Sequence, residues 1–89
     1  MGSSAVILTV YSRPGCHLCD EMMAAIGRVR HIAAFTVEVI DISTDADLEA
    51  RYGLEIPVLL VDGKKAAKYR LSDADLRRIL LGRIGGAHE

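Results

Sequence analysis

The stretch Tyr11-Ser12-Arg13-Pro14-Gly15-Cys16-His17-Leu18-Cys19 limits what this chain can fold into more than any other. Before it runs Ala5-Val6-Ile7-Leu8-Thr9-Val10, which carries no charge, and after it the apolar residues recur at helical spacing. A strand must therefore end, turn through Pro14-Gly15 and open a helix with two cysteines three apart. That order has a chemical consequence. A helix N-terminus presents unpaired backbone N–H groups and the positive end of the macrodipole, and both favour a thiolate over a thiol. Residues three apart share one side of a helix, so the second sulfur can attack a mixed disulfide formed on the first.

Length and composition narrow the alternatives. Eighty-nine residues make one domain near the small end of what folds alone. At 51% hydrophobic the chain has material for a core, although its aromatic residues are only Tyr11, Phe35, Tyr52 and Tyr69. Two cysteines this close cannot staple a fold, because the loop they close constrains little of the unfolded chain. A formal net charge of -1 argues against nucleic acid or a membrane surface as partner. No apolar run reaches the roughly 18 residues of a membrane span, and the start lacks the basic flank and cleavage site of a secretory signal. The expected compartment is the cytoplasm, where paired cysteines are catalytic or metal-binding more often than structural. Residues 1–4 resemble the remnant of an expression tag and carry no weight in the reading.

Residues 5–11 form a continuous apolar run, as in a central strand covered on both faces. A helix is expected over 16–31, with Cys19, Met22, Met23, Ile26 and Val29 on its inner stripe. Phe35-Thr36-Val37-Glu38-Val39-Ile40-Asp41-Ile42 reads as a second strand, and Ser43-Thr44-Asp45 offers an N-cap to a short helix that stops at Gly53. Ile56-Pro57 leads into a third strand, Val58-Leu59-Leu60-Val61. Asp62-Gly63 is a hairpin turn, and residues 64–70 make a fourth strand whose lysines suit an exposed edge. Ser72-Asp73-Ala74-Asp75 caps a last helix that buries Leu76, Ile79, Leu80 and Ile84, before a tail over 85–89 that frays. The order is β-α-β-α-β-β-α in one domain over 5–84. A right-handed parallel crossover followed by a hairpin gives a four-stranded mixed sheet with three helices, disposed on both faces.

These residues resemble the thioredoxin fold in its minimal, glutaredoxin-like form, and within it the short bacterial proteins with a Tyr-x-Arg-x-x-Cys-x-Leu-Cys signature. The resemblance covers about residues 5–82 and rests on two separated marks, Cys16-His17-Leu18-Cys19 after the first strand and Ile56-Pro57 before the third. It implies that Cys16 is the exposed nucleophile and Cys19 the more buried resolving thiol. It implies that Pro57 is cis and faces the disulfide, that the backbone of Ile56 pairs with an extended substrate, and that Arg13 holds a glutathione carboxylate. The pattern departs in two places. Leu18 stands where an aromatic residue is usual, and Ala67-Lys68-Tyr69-Arg70 replaces a glycine pair followed by an acid, a role that Asp73 or Asp75 could still supply.

The function expected is dithiol thiol–disulfide exchange by Cys16 and Cys19 on a disulfide-containing protein or small molecule. His17 and Leu18 act as modulators, while Asp20 and Glu21 in the first turn oppose the thiolate. The contrasting reading is a redox-responsive protein-binding module with little glutathione-dependent turnover. Zinc would need four ligands, and beyond Cys16, His17 and Cys19 only His31 and His88 remain, so no metal is expected. No bound cofactor is expected either, and glutathione should bind weakly. A monomer recycled by a thioredoxin reductase-type system or by glutathione completes the expectation.

Overall fold

Alternation along the first strand decides how the sheet is covered. The computed structural model describes residues 6–32 and 34–85, the last three by backbone alone. In β1 (Val6–Ser12), Val6, Leu8 and Val10 are buried while Ile7 between them is 44% exposed. Successive side chains of a strand point to opposite faces, so one face of β1 is sealed and the other is not. The expectation of cover on both faces is corrected here. The reason is α2 (Ala46–Tyr52), which has only seven residues and buries none of them.

The sheet order is β2-β1-β3-β4. β2 (Phe35–Asp41) pairs parallel to β1, with Val6 opposite Phe35 and Ser12 opposite Asp41. β3 (Val58–Val61) pairs antiparallel to β1, with Leu8 opposite Val61 and Tyr11 opposite Val58. β4 (Lys64–Lys68) closes the hairpin and forms an edge, with a register shift between Leu59 and Leu60 that leaves Ala66 as the extra residue. Asp62 and Gly63 both have positive φ, 51° and 88°, as the tight turn requires. Asp62 also ties the turn to β1, since the Ile7 N–H donates to its carboxylate at 2.9 Å and its own N–H donates to the Ile7 carbonyl at 2.8 Å. β4 ends two residues before the expected limit, because the chain turns left-handed at Tyr69 (φ 67°).

The sealed face carries α1 (His17–Arg28) and α3 (Asp73–Gly85). Met22, Ala25, Ile26 and Val29 of the α1 segment meet Leu76 and Leu80 over Leu8, Val10, Leu59 and Val61. Each large aliphatic side chain buried this way contributes about 1.5–3 kcal/mol. Ile79 packs at the margin of this cluster. Ile84 lies outside the described side chains. Arg28 near the end of α1 grips Asp73 at the start of α3 with two bonds, Nε to Oδ2 at 2.7 Å and Nη2 to Oδ1 at 2.9 Å. α1 ends at Arg28, three residues short of the expected 31. α3 runs on to Gly85, the first residue of the expected tail, whose other residues lie outside those described. Four strands in a mixed sheet with three helices make a thioredoxin-like fold. Among the described residues no helix is long and apolar enough to cross a membrane.

Candidate active site

Three chain segments reach one end of the sheet. The pairing of Tyr11 with Val58 sets the end of β1 beside the start of β3, so the Pro14-Gly15-Cys16 loop and Ile56-Pro57 emerge side by side. The connection after β4 is tied to the same place, since the Tyr69 N–H donates to the Pro57 carbonyl at 2.9 Å. The Ile56–Pro57 bond is cis and Pro57 is fully buried. Gly15, with φ 81°, lets the loop turn into the helix.

Cys16 is the N-cap of α1 rather than its first residue, a correction of one position. Its backbone is extended, at φ -89° and ψ 110°, and its Sγ accepts the Cys19 N–H at 3.1 Å. A cysteine thereby takes the capping role that serine or aspartate usually fills. Cys16 and Cys19 are joined as a disulfide, with their Cα atoms 5.2 Å apart. Cys16 is partly exposed while Cys19 is only 4% exposed, so the two residues differ in access. His17 is exposed and Leu18 half-buried. With the helix starting at His17, only Asp20 of the two expected acids lies in the first turn, and Glu21 just beyond it is paired with Arg70 at 3.2 Å.

Arg13 is fixed in place. Its Nη2 donates to Glu49 Oε2 at 2.6 Å and to the Gly53 carbonyl at 3.1 Å, which joins the loop before Cys16 to the end of α2. Glu49 Oε1 is buried with no hydrogen-bond partner among the described residues. Gly53 stops the helix without a left-handed turn. A Cβ there would stand 2.5 Å from the Glu49 carbonyl oxygen, 2.9 Å from Glu49 Oε2 and 3.2 Å from Arg13 Nη2. Tyr11 and Tyr52 pack ring to ring with centroids 4.8 Å apart, closing the same corner. Glu49, Gly53 and Arg70 escape a sequence reading, because their partners lie tens of residues away.

Beside this end lies a surface groove of about 360 Å³ between α1 and the start of α3, lined by Glu21, Met22, Arg70, Leu71, Ser72 and Asp75. The acids expected to stand in for the missing motif already have partners. Asp73 holds Arg28, while Asp75 accepts from Arg78, and its backbone N–H donates to the Ser72 hydroxyl at 3.0 Å. The bonds from Arg28 and Arg78 hold the Asp73 and Asp75 carboxyls below the usual carboxylate range. Among the described residues no group of three or more His, Cys, Asp and Glu could hold a metal ion.

The family model of the glutaredoxin-like domain (DUF836) matches residues 7–81, and so spans both the Cys16–Cys19 pair and Ile56-Pro57. The chain belongs to this glutaredoxin-like family. Among solved structures, this glutaredoxin-like protein is similar to target protein XcR50 from X. campestris, at 36% identity and a TM-score of 0.72 over 82% of this chain and 93% of that one. It is similar to protein Ne2328 from Nitrosomonas europaea at 32% identity and a TM-score of 0.73, over 84% and 91% of the two chains. A mutant thioredoxin from Halobacterium salinarum shares the fold, at 18% identity and a TM-score of 0.65, over 88% of this chain and 74% of its own. None of the curated proteins matches the chain.

Proposed function

We propose that this protein is a dithiol thiol–disulfide oxidoreductase with Cys16 as nucleophile and Cys19 as resolving thiol. One observation carries the reading: Cys16, a partly exposed residue, receives a helix N-terminal N–H on its sulfur, while its partner cysteine is buried one turn along. An N–H donor and the helix dipole stabilise sulfur as the thiolate, which is the attacking and leaving form. The Cys16 thiolate attacks one sulfur of a substrate disulfide, the S–S bond breaks, and the other half leaves as a thiolate. Cys19 gives up its proton and attacks Cys16 Sγ, releasing the second half. The substrate gains two electrons and the protein is left as the Cys16–Cys19 disulfide.

A cellular dithiol or thiol reductant of the thioredoxin reductase or glutathione type then restores the dithiol. The substrate is a disulfide-bearing protein that lays an extended segment along Ile56, and the protein works as a cytoplasmic monomer. Weak glutathione use is supported by two contacts, since the N–H groups of Tyr69 and Arg70 already donate to the Pro57 and Lys68 carbonyls.

The test compares Cys16→Ser and Cys19→Ser in disulfide reduction. Cys16→Ser is expected to be inert, and Cys19→Ser to stall as a trapped mixed disulfide. Full activity in Cys16→Ser overturns the assignment. A second reading, a redox-responsive binding module, draws on Leu54, which is 93% exposed two residues before Ile56. A reduction potential between about -270 and -200 mV, as in cytosolic carriers, favours turnover. A disulfide that neither reductant opens favours the module.

A further inference from the structure

We infer that Glu49 is a specificity-determining residue that turns the site away from anionic disulfides by occupying Arg13. The inference rests on the oxidoreductase reading above and names its substrate class as neutral or cationic disulfides. A guanidinium three residues before the nucleophile is the natural landing point for a substrate carboxylate, because it offers a charged, planar fork. Here one arm of that fork is already taken. Nη2 is held by Glu49 Oε2 at 2.6 Å and by the Gly53 carbonyl at 3.1 Å. Asp41 adds a second carboxylate, since it pairs in the sheet with Ser12, the neighbour of Arg13, and feels the Arg13 charge.

A second cation beside the site is engaged in the same way, with Arg70 holding Glu21 at 3.2 Å. Asp20 in the first turn of α1 is exposed and adds a further negative charge. Arg13 and Arg70 are thus each paired with a carboxylate, and Asp41 and Asp20 add two more. An anionic substrate must share Arg13 with Glu49 and approach against Asp41 and Asp20. A neutral or cationic one does neither. Gly53 preserves the arrangement, because a side chain there would press on both members of the pair.

The experiment uses the full chain in its dithiol form and measures single-turnover rate constants by chemical quench with three probes. They are glutathione disulfide (anionic), bis(2-hydroxyethyl) disulfide (neutral) and cystamine (cationic). In Glu49→Gln, the ratio of the glutathione disulfide rate to the neutral rate is expected to rise about fivefold, which matches a partly exposed ion pair. The ratio of cystamine to neutral should fall, and both changes should shrink in about 1 M salt as screening predicts. Asp41→Asn, which keeps an acceptor for the Ser43 N–H, should move both ratios in the same directions and answers alone if Glu49→Gln is poorly folded. Ratios that stay within about twofold of wild type, or that rise together for both charged probes, overturn the inference. A wild-type protein inert to all three probes overturns the oxidoreductase reading itself, and the inference with it.

Discussion

Removing Arg13 should loosen the protein by an amount the geometry sets. Arg13 and Glu49 side chains are 37% and 42% exposed, which places their pair between two regimes. Fully exposed pairs are worth about 0–1 kcal/mol, and hydrogen bonds to charged groups about 1.5–3 kcal/mol. Arg13→Ala also strands the Gly53 carbonyl and leaves the Glu49 carboxylate, whose Oε1 is already buried, without its cation. We expect a loss of about 1.5 kcal/mol, read as a fall of roughly 6–12 °C in the melting temperature of a domain this size. Part of any arginine truncation is lost packing of its stem, so the pair is isolated by a cycle of Arg13→Ala, Glu49→Ala and both together, followed by circular dichroism in urea. A coupling energy of about 1 kcal/mol is expected, at the upper end for an exposed pair. If the two substitutions add within about 0.3 kcal/mol, as independent sites do, the contact does not stabilise the fold and the reasoning fails.

Two further outcomes follow from the same contacts. Asp41, Glu55, Asp73 and Asp75 are all held below the ordinary carboxylate range, by bonds from Ser43, Lys65, Arg28 and Arg78 respectively. A depressed folded-state value means stability is fully present above the unfolded value of about 4 and is lost as pH falls through the folded ones; urea midpoints should drop between about pH 5 and 3, less steeply in Asp73→Asn, and a midpoint constant down to about pH 3 would contradict this. Tyr69→Gly should leave the melting temperature within a few degrees, because relief of a left-handed backbone worth about 1–2 kcal/mol offsets the roughly 0.5–1 kcal/mol of added chain freedom; Ala67→Gly, inside β4, should lower it, and the reverse order would show the turn is placed wrongly.

That last contrast separates what the sequence makes legible from what it hides. Local marks are legible: the Asp62-Gly63 turn, the strand before Pro14-Gly15, the proline opening β3, and the helical stripe of Met22, Ile26 and Val29. Each is a property of neighbours along the chain. The motif pattern puts the missing glycine pair at Ala67-Lys68, yet these residues sit in β4 opposite Leu59 and Val58. The residue that adopts the glycine-like conformation is Tyr69, and nothing in its chemistry announces a positive φ. The extra residue at Ala66 shifts the register and moves the turn, which no periodicity within a five-residue strand could reveal.

Cover of the sheet is hidden for a different reason. An uncharged run such as Val6 to Tyr11 is compatible with burial on two faces or on one, because an exposed Ile7 costs little when its neighbours are sealed. The deciding quantity is the length of α2. Seven residues reach Tyr11 through Tyr52 but leave Ile7 uncovered at the far end of the strand. The cover that exists therefore lies at the end that carries Cys16, where Arg13 pins the last turn of α2 to the loop before it. A short helix bound this way serves the site more than the core. It buries no residue of its own, and the bond from Arg13 and the contact between the two tyrosine rings help to hold it against β1. The same guanidinium that orders the segment leading to Ile56-Pro57 is then withheld from substrate, which makes positioning and charge selection two effects of one ion pair.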